Sequence, residues 1–194
     1  MPELTTSASV LLTDLALCVN RYRLFTPGIY VCMHVGVQLD GERIVPGLLA
    51  QVNWGRLKQC EAVENGFRGP PNFVLDVFTA DERAEYERRR ELFERFGVQE
   101  YVGVEDLKEP GLHWNRLEDG KFHEIESDAN GMVRSKALPG LWIPRISLAR
   151  RDWWTICAAI ERGCTRRGHH EFQETIWHAE HRPRVEEPIP FDAG

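Results

Sequence analysis

The chain has 194 residues, 42% of them hydrophobic, with a net charge of −6 and a pI near 5.7, which makes one domain with one sizeable core the default. The acidic balance argues against a constitutive nucleic-acid binder, whose affinity needs clustered Lys or Arg against phosphate, and no run approaches the roughly 20 apolar residues of a membrane span. MPELTTSASVLLTDL has no basic stretch before its apolar run, and Cys18, Cys32, Cys60, Cys157 and Cys164 form no C-x-x-C pair; no membrane partner, no disulfide framework and a reducing cytoplasm are expected.

Val10, Leu11, Leu15, Leu17 and Val19 pattern a first amphipathic helix over Ser7 to Phe25, stopped by Pro27 and Gly28. IYVCMHVGVQLD reads as a strand entering a hairpin at Asp40-Gly41, with RIVPGLLAQV as its partner and Pro46 marking an edge or an irregularity. Asn53 to Asn72 is polar and broken by Gly and Pro, a long surface loop with room for one helical turn. FVLDVF, nearly all apolar, is the pattern of a central strand covered on both faces.

Thr79 and Glu82 form a capping box for a helix that runs to Phe96 and ends at Gly97. VQEYVGVE is a further strand, GLHWNRL and KFHEIE a hairpin through Asp119-Gly120, and LPGLWI a strand beyond a turn at Asn130-Gly131. Helices follow over Arg151 to Arg162 and over about His169 to His181, before an acidic, Pro-containing tail over 183–194 that leaves one domain over 1–182. The fold class is α/β (α+β), a central mixed sheet flanked by helices.

Strand alternation puts Val74, Asp76 and Phe78 on one face of FVLDVF and Phe73, Leu75 and Val77 on the other. Asp76 therefore points where apolar neighbours point, and a buried carboxylate needs a cation or a metal beside it. On the next helix Glu85, Arg89, Leu92 and Phe96 share one stripe, which should face the sheet. A buried Asp76–Arg89 ion pair is the favoured reading of this cluster. The Arg88-Arg89-Arg90 run, flanked by acids, otherwise reads as a solvated helix face.

A valine-rich strand with a central acid, a helix with a cation thirteen residues beyond it, and then GVQEY resemble the Uma-two family of restriction endonucleases. TPG before a strand, the proline-led strand at Pro46, the tryptophan hairpin and DANGMVRSKALPGLWI extend the resemblance over roughly residues 8 to 180, with GVQEY and the RS-x-x-LPGLW segment its most specific parts. It implies a PD-(D/E)XK nuclease fold, in which carboxylates hold Mg²⁺ against a phosphate and a lysine serves the attacking water. Carried over, the family's Pro-Asp falls on Pro46-Gly47, its strand glutamate on Asp76, its lysine on Arg89, the acid four residues earlier on Glu85, and a helical histidine near Leu12.

Gly47 deletes a ligand, and Arg89 keeps a charge that is effectively never given up. The expectation is a catalytically impaired nuclease fold that acts by binding or assembly, with DNA and a second copy of the chain as partners. No cofactor is expected, with Mg²⁺ bound at Asp76 only if the site is active. The rival is a weak Mg²⁺-dependent DNA endonuclease using Asp76 with Glu85, or with Glu61 or Glu64 recruited from the loop; a third reading is a structural protein without nucleic-acid contact.

His169, His170, His178 and His181 read as surface histidines, and Trp142, Trp153 and Trp154 as core or interface aromatics with nothing basic interleaving Trp142. Gly163 and Gly168 read as helix breakers, and Cys164 has no base in sequence to make it a nucleophile.

Overall fold

The computed structural model describes residues 4–180; the expected tail over 183–194, His181 and the side chain of His178 lie outside the described residues. The first helix, α1 (Thr6–Phe25), is capped by Thr5, whose hydroxyl accepts the Ala8 N–H at 3.1 Å, and buries the stripe Leu11, Leu12, Leu15, Val19 and Tyr22. Beyond Thr26 and Pro27, Gly28 at φ 93° turns the chain into the sheet.

The expected hairpin at Asp40-Gly41 forms, but each of its arms is broken in two. β1 (Ile29–Met33) pairs antiparallel with β4 (Leu48–Val52), and β2 (Val37–Leu39) with β3 (Glu42–Ile44). The breaks are His34 at φ 52° and the Val45-Pro46-Gly47 segment, where Pro46 has no N–H to offer a ladder. Pro46 thus marks the irregularity and not an edge, since β4 lies between β1 and β7.

The segment read as a loop over Asn53 to Asn72 does hold a 3-10 turn, Gly55–Leu57, but also an unexpected hairpin of β5 (Glu61–Val63) and β6 (Gly66–Arg68). Every residue of β5 is exposed, so it lacked the apolar alternation by which strands are recognised. These strands complete a small sheet in the order β3-β2-β6-β5.

The main sheet has six strands in the order β1-β4-β7-β8-β9-β10, with only β7 (Phe73–Phe78) and β8 (Glu100–Glu105) parallel. A parallel pair needs a crossover, and α2 (Arg83–Phe96) supplies it. The capping box at Thr79 and Glu82 is formed, and Gly97 ends α2 at φ 82°. β9 (Gly111–Glu118) and β10 (Lys121–Glu124) meet through Asp119 and Gly120, both at positive φ, as a two-residue turn between twisted strands requires.

LPGLWI is not one strand. Residues 138–141 turn, β12 (Trp142–Pro144) follows, and β11 (Met132–Arg134) pairs with it. The helix expected from Arg151 begins later as α4 (Trp153–Cys164), because Arg151 sits at φ 55° and Asp152 caps Thr155; the short α3 (Arg145–Ala149) precedes it.

The last helix, α5 (Arg167–Glu180), contains Gly168, and α4 contains Gly163, so neither glycine breaks a helix. A Cβ on Gly163 would lie 2.2 Å from the Gly140 carbonyl oxygen; close approach of α4 is what requires glycine there.

The main sheet is covered on both faces. Phe73, Leu75 and Val77 face α1 in one buried cluster that also takes in residues of α4 and α5, while Val74 and Phe78 share the other with Tyr86, Leu92, Phe93 and Tyr101. The alternation read from FVLDVF therefore holds, and Asp76 lies on the α2 face.

Candidate functional site at Asp76

Asp76 sits mid-strand on β7 with a side chain only 9% exposed, which in an apolar setting would be costly without partners. It has three. Oδ1 accepts the Gly47 N–H at 2.6 Å, while Oδ2 accepts the Tyr101 hydroxyl at 3.0 Å and an Arg89 guanidinium N–H at 3.2 Å. Arg89, 13% exposed, also donates to the Val45 carbonyl at 3.3 Å and to Glu85 at 2.9 Å. One carboxylate and one guanidinium thus fasten the β3–β4 break to the central strand and to α2.

Each partner follows from local pattern. Arg89 lies one turn after Glu85 and one before Leu92 and Phe93, which are buried, so the stripe read from the sequence does face the sheet. Tyr101 and Gly103 alternate on the neighbouring strand and face the same side as Asp76, which pairs with Gly103 across the β7–β8 ladder. A Cβ at Gly103 would lie 2.2 Å from the Tyr86 ring, and Tyr86 stacks on Phe78 at 4.4 Å, so tyrosine rings fill the space next to the carboxylate.

Electrostatics fix the protonation states. Burial, then the Asp76 charge, push the Tyr101 phenol well above its ordinary value, keeping it a donor. For Arg89, burial pulls down but Asp76 and Glu85 outweigh it, so the guanidinium stays charged. Hydrogen bonds from Arg88 and then Arg89, working against burial, lower Glu85 to about 2.

Of the positions carried over by resemblance, all but Pro46 meet here: Leu12, Gly47, Asp76, Glu85 and Arg89 line one small cleft of about 40 Å³, together with Tyr86 and Tyr101. Leu12 lies against the glycine, for a Cβ on Gly47 would stand 3.2 Å from Leu12 Cδ1 and from the Leu75 carbonyl oxygen. Glu61 and Glu64 do not line the cleft; Glu61 is on the exposed strand β5 and Glu64 in its turn.

Mg²⁺ wants about six oxygen ligands in octahedral array. Asp76 offers oxygens already occupied by N–H and O–H donors, and Glu85 binds Arg88 and Arg89 with both of its own. Among the described residues no three His, Cys, Asp or Glu side chains are grouped to hold a metal ion. The donor set does not fit Mg²⁺.

Sequence reasoning missed Tyr101 and Tyr86. The first was detectable, since Tyr101 and Gly103 share a face in VQEYVGVE; the second depends on how α2 lies over the sheet. The arginine run also divides: Arg88 is exposed against Glu85, but Arg90 reaches Asn115 at 2.8 Å and the Phe122 carbonyl at 3.3 Å, so the solvated-face reading fails for Arg89 and Arg90.

The two most distinctive segments meet away from the cleft. Glu100 of GVQEY is fully buried and accepts from Arg116 at 2.9 Å, from the Ser135 hydroxyl at 2.5 Å and from the Lys136 N–H at 2.9 Å, while Ser135 Oγ accepts the Leu138 N–H at 2.8 Å. Both segments thus build one charge-assisted cage that joins β8 to the turn before β12.

Among the other candidates, His169 is buried and bonds Thr26 Oγ1 at 2.9 Å, which corrects its reading as a surface residue. Arg134 stacks on Trp142 at 4.2 Å, so a basic side chain does accompany that ring; the two face each other across the β11–β12 pair. Burial pushes the Cys164 thiol up to about 12, which leaves it a poor nucleophile.

A family model described as "Uma2: Putative restriction endonuclease" matches residues 1–149. Among solved structures, "a putative nuclease belonging to DUF820" from Anabaena variabilis ATCC 29413 superposes with a TM-score of 0.59 at 14% identity, covering 78% of this chain and 84% of that one. No curated protein matches. The structural likeness supports the nuclease fold, and the family match covers every residue that lines the Asp76 cleft.

Proposed function

The chain belongs to the Uma2 family, and from that premise we propose that it keeps a nuclease fold without nuclease catalysis and acts by binding or assembly. The observation that carries this reading is the Asp76 carboxylate, both of whose oxygens are engaged by protein donors, Gly47 on one and Tyr101 and Arg89 on the other, where a metal site would turn them toward the ion. Hydrolysis of a phosphodiester at neutral pH needs an activated water and a counter-charge for the phosphate, which a bound ion would supply. Arg89 supplies counter-charge alone, and it is already committed to two carboxylates. It cannot accept a proton from water at neutral pH.

What the cluster does is structural: it ties α2, β7, β8 and the β3–β4 break at one point. The proposed partners are a second copy of the chain and DNA held without cleavage. Supercoiled plasmid incubated with the protein and Mn²⁺ should stay unnicked. Metal-dependent nicking that disappears in Asp76→Asn, with the fold of that variant checked by circular dichroism, would refute the reading and favour a weak endonuclease. DNA binding without metal, if it occurs, should weaken steeply with salt.

A further inference from the structure

Two thiols far apart in sequence meet in the seam between α1 and α4, and the Asp76 site uses neither. The two helices pack side by side, with Cα atoms within 8 Å of one another, and Arg21 of α1 reaches Glu161 of α4 at 2.6 Å. One turn earlier on each helix stand Cys18 and Cys157, three residues before Arg21 and four before Glu161. Helical spacing therefore puts each cysteine on the flank that carries its helix's half of the ion pair. Cys18 belongs to the buried cluster beneath α1, Cys157 packs against that cluster, and the two sulfurs adjoin one another. Both are free thiols, Cys18 buried and Cys157 half-buried.

We propose that Cys18 and Cys157 are a redox modification site, joined as a reversible disulfide when hydrogen peroxide reaches the α1–α4 seam. The half-buried sulfur reacts first. Cys157 sulfur attacks one peroxide oxygen and the O–O bond breaks; the sulfur is oxidised to sulfenic acid, and the other oxygen, reduced, leaves as water. Cys18 sulfur then attacks the sulfenic sulfur, the S–O bond breaks, and the departing hydroxide takes the Cys18 proton and leaves as a second water. Two thiols and one peroxide thus become one disulfide and two waters.

Burial divides the roles. Burial, then the neighbouring Cys157 sulfur, pushes the Cys18 thiol well up, so Cys18 does not compete for the oxidant. The part of that shift owed to Cys157 ends once Cys157 is a sulfenic acid, and adjacency makes the second step unimolecular. Cys32 also packs against a cluster that holds a buried cysteine, Cys60, but that thiol is hydrogen-bonded to Gln51. In a reducing compartment a disulfide of this kind is transient, formed under oxidant and reversed by small thiols. The inference does not depend on whether the Asp76 site is silent.

The experiment treats the full chain with a small excess of hydrogen peroxide, blocks remaining thiols with an alkylating reagent, and maps the peptides by mass spectrometry without reduction. The peptides that hold Cys18 and Cys157 should appear joined, with the loss of two hydrogens, and should separate on treatment with dithiothreitol. Cys157→Ser should lose the joined species. In Cys18→Ala the oxidised Cys157 has no sulfur to resolve it, so its sulfenic acid should be trapped by dimedone; should either variant misfold, the wild-type map decides alone. Peroxide that leaves both thiols open to alkylation, or that carries Cys157 on to sulfinic acid in wild type without a link to Cys18, would overturn the proposal.

Discussion

Replacing Arg89 by methionine keeps much of the aliphatic stem and removes the guanidinium that faces Asp76. The carboxylate is 9% exposed and the arginine 13%, so solvent cannot fully replace the lost partner. Removing one member of a buried pair costs on the order of 3 to 5 kcal/mol. Asp76 would still keep the Gly47 N–H and the Tyr101 hydroxyl, which places the expected cost at the lower end, about 3 kcal/mol. At about 2 to 4 °C per kcal/mol for a domain of this size, the melting temperature should fall by roughly 6 to 12 °C. Differential scanning calorimetry reads this directly, and an unchanged melting temperature would show that the pair does not hold the fold together.

Tyr101→Phe removes one donor to the same carboxylate and should cost about 1.5 to 3 kcal/mol in urea unfolding; a neutral outcome would mean that water replaces the hydroxyl. Glu85 has its pKa lowered from 4.5 to about 2, so its contribution is fully present above pH 4.5 and lost as pH falls through 2. Wild-type stability should decline over that window and the decline should be shallower in Glu85→Gln, an effect softened by the exposure of this pair; parallel curves would contradict the assignment. Glu100→Gln and Ser135→Ala should couple in a double-mutant cycle by roughly 0.5 to 3 kcal/mol, and strict additivity would argue against the cage. Gly47→Asp should lower the melting temperature, since its Cβ meets Leu12 and the Leu75 carbonyl at 3.2 Å. Adding Leu12→Ala should recover part of that loss, which an unaided variant as stable as wild type would disprove.

Much of the site was legible because it depends on two periodicities. Strand alternation placed Asp76 on the α2 face, and helical spacing brought Arg89 over it. What was not legible needed three-dimensional knowledge. β5 is a strand without an apolar residue turned inward, and it forms because β6 offers it a free edge. The break at His34 and Val45 to Gly47 comes from two sheets sharing one hairpin, which local sequence does not specify. His169 was misread because polarity suggests the surface, whereas close packing under Tyr22 decides its burial. Of the most distinctive segments, GVQEY serves both places, with Glu100 in the cage it shares with RSKALPGLW and Tyr101 in the cleft, and neither role could be read from the linear sequence.

Isothermal titration of the protein with Mn²⁺ tests most directly whether Asp76 is a strut or a metal ligand. Only heat of dilution should appear in wild type. In Gly47→Asp/Asp76→Glu/Arg89→Lys, combined with Leu12→Ala to make room, saturable binding should emerge, while each single change should leave the titration flat. Saturable uptake by the wild type that vanishes in Asp76→Asn would contradict the claim that this carboxylate is a strut committed to Gly47, Tyr101 and Arg89.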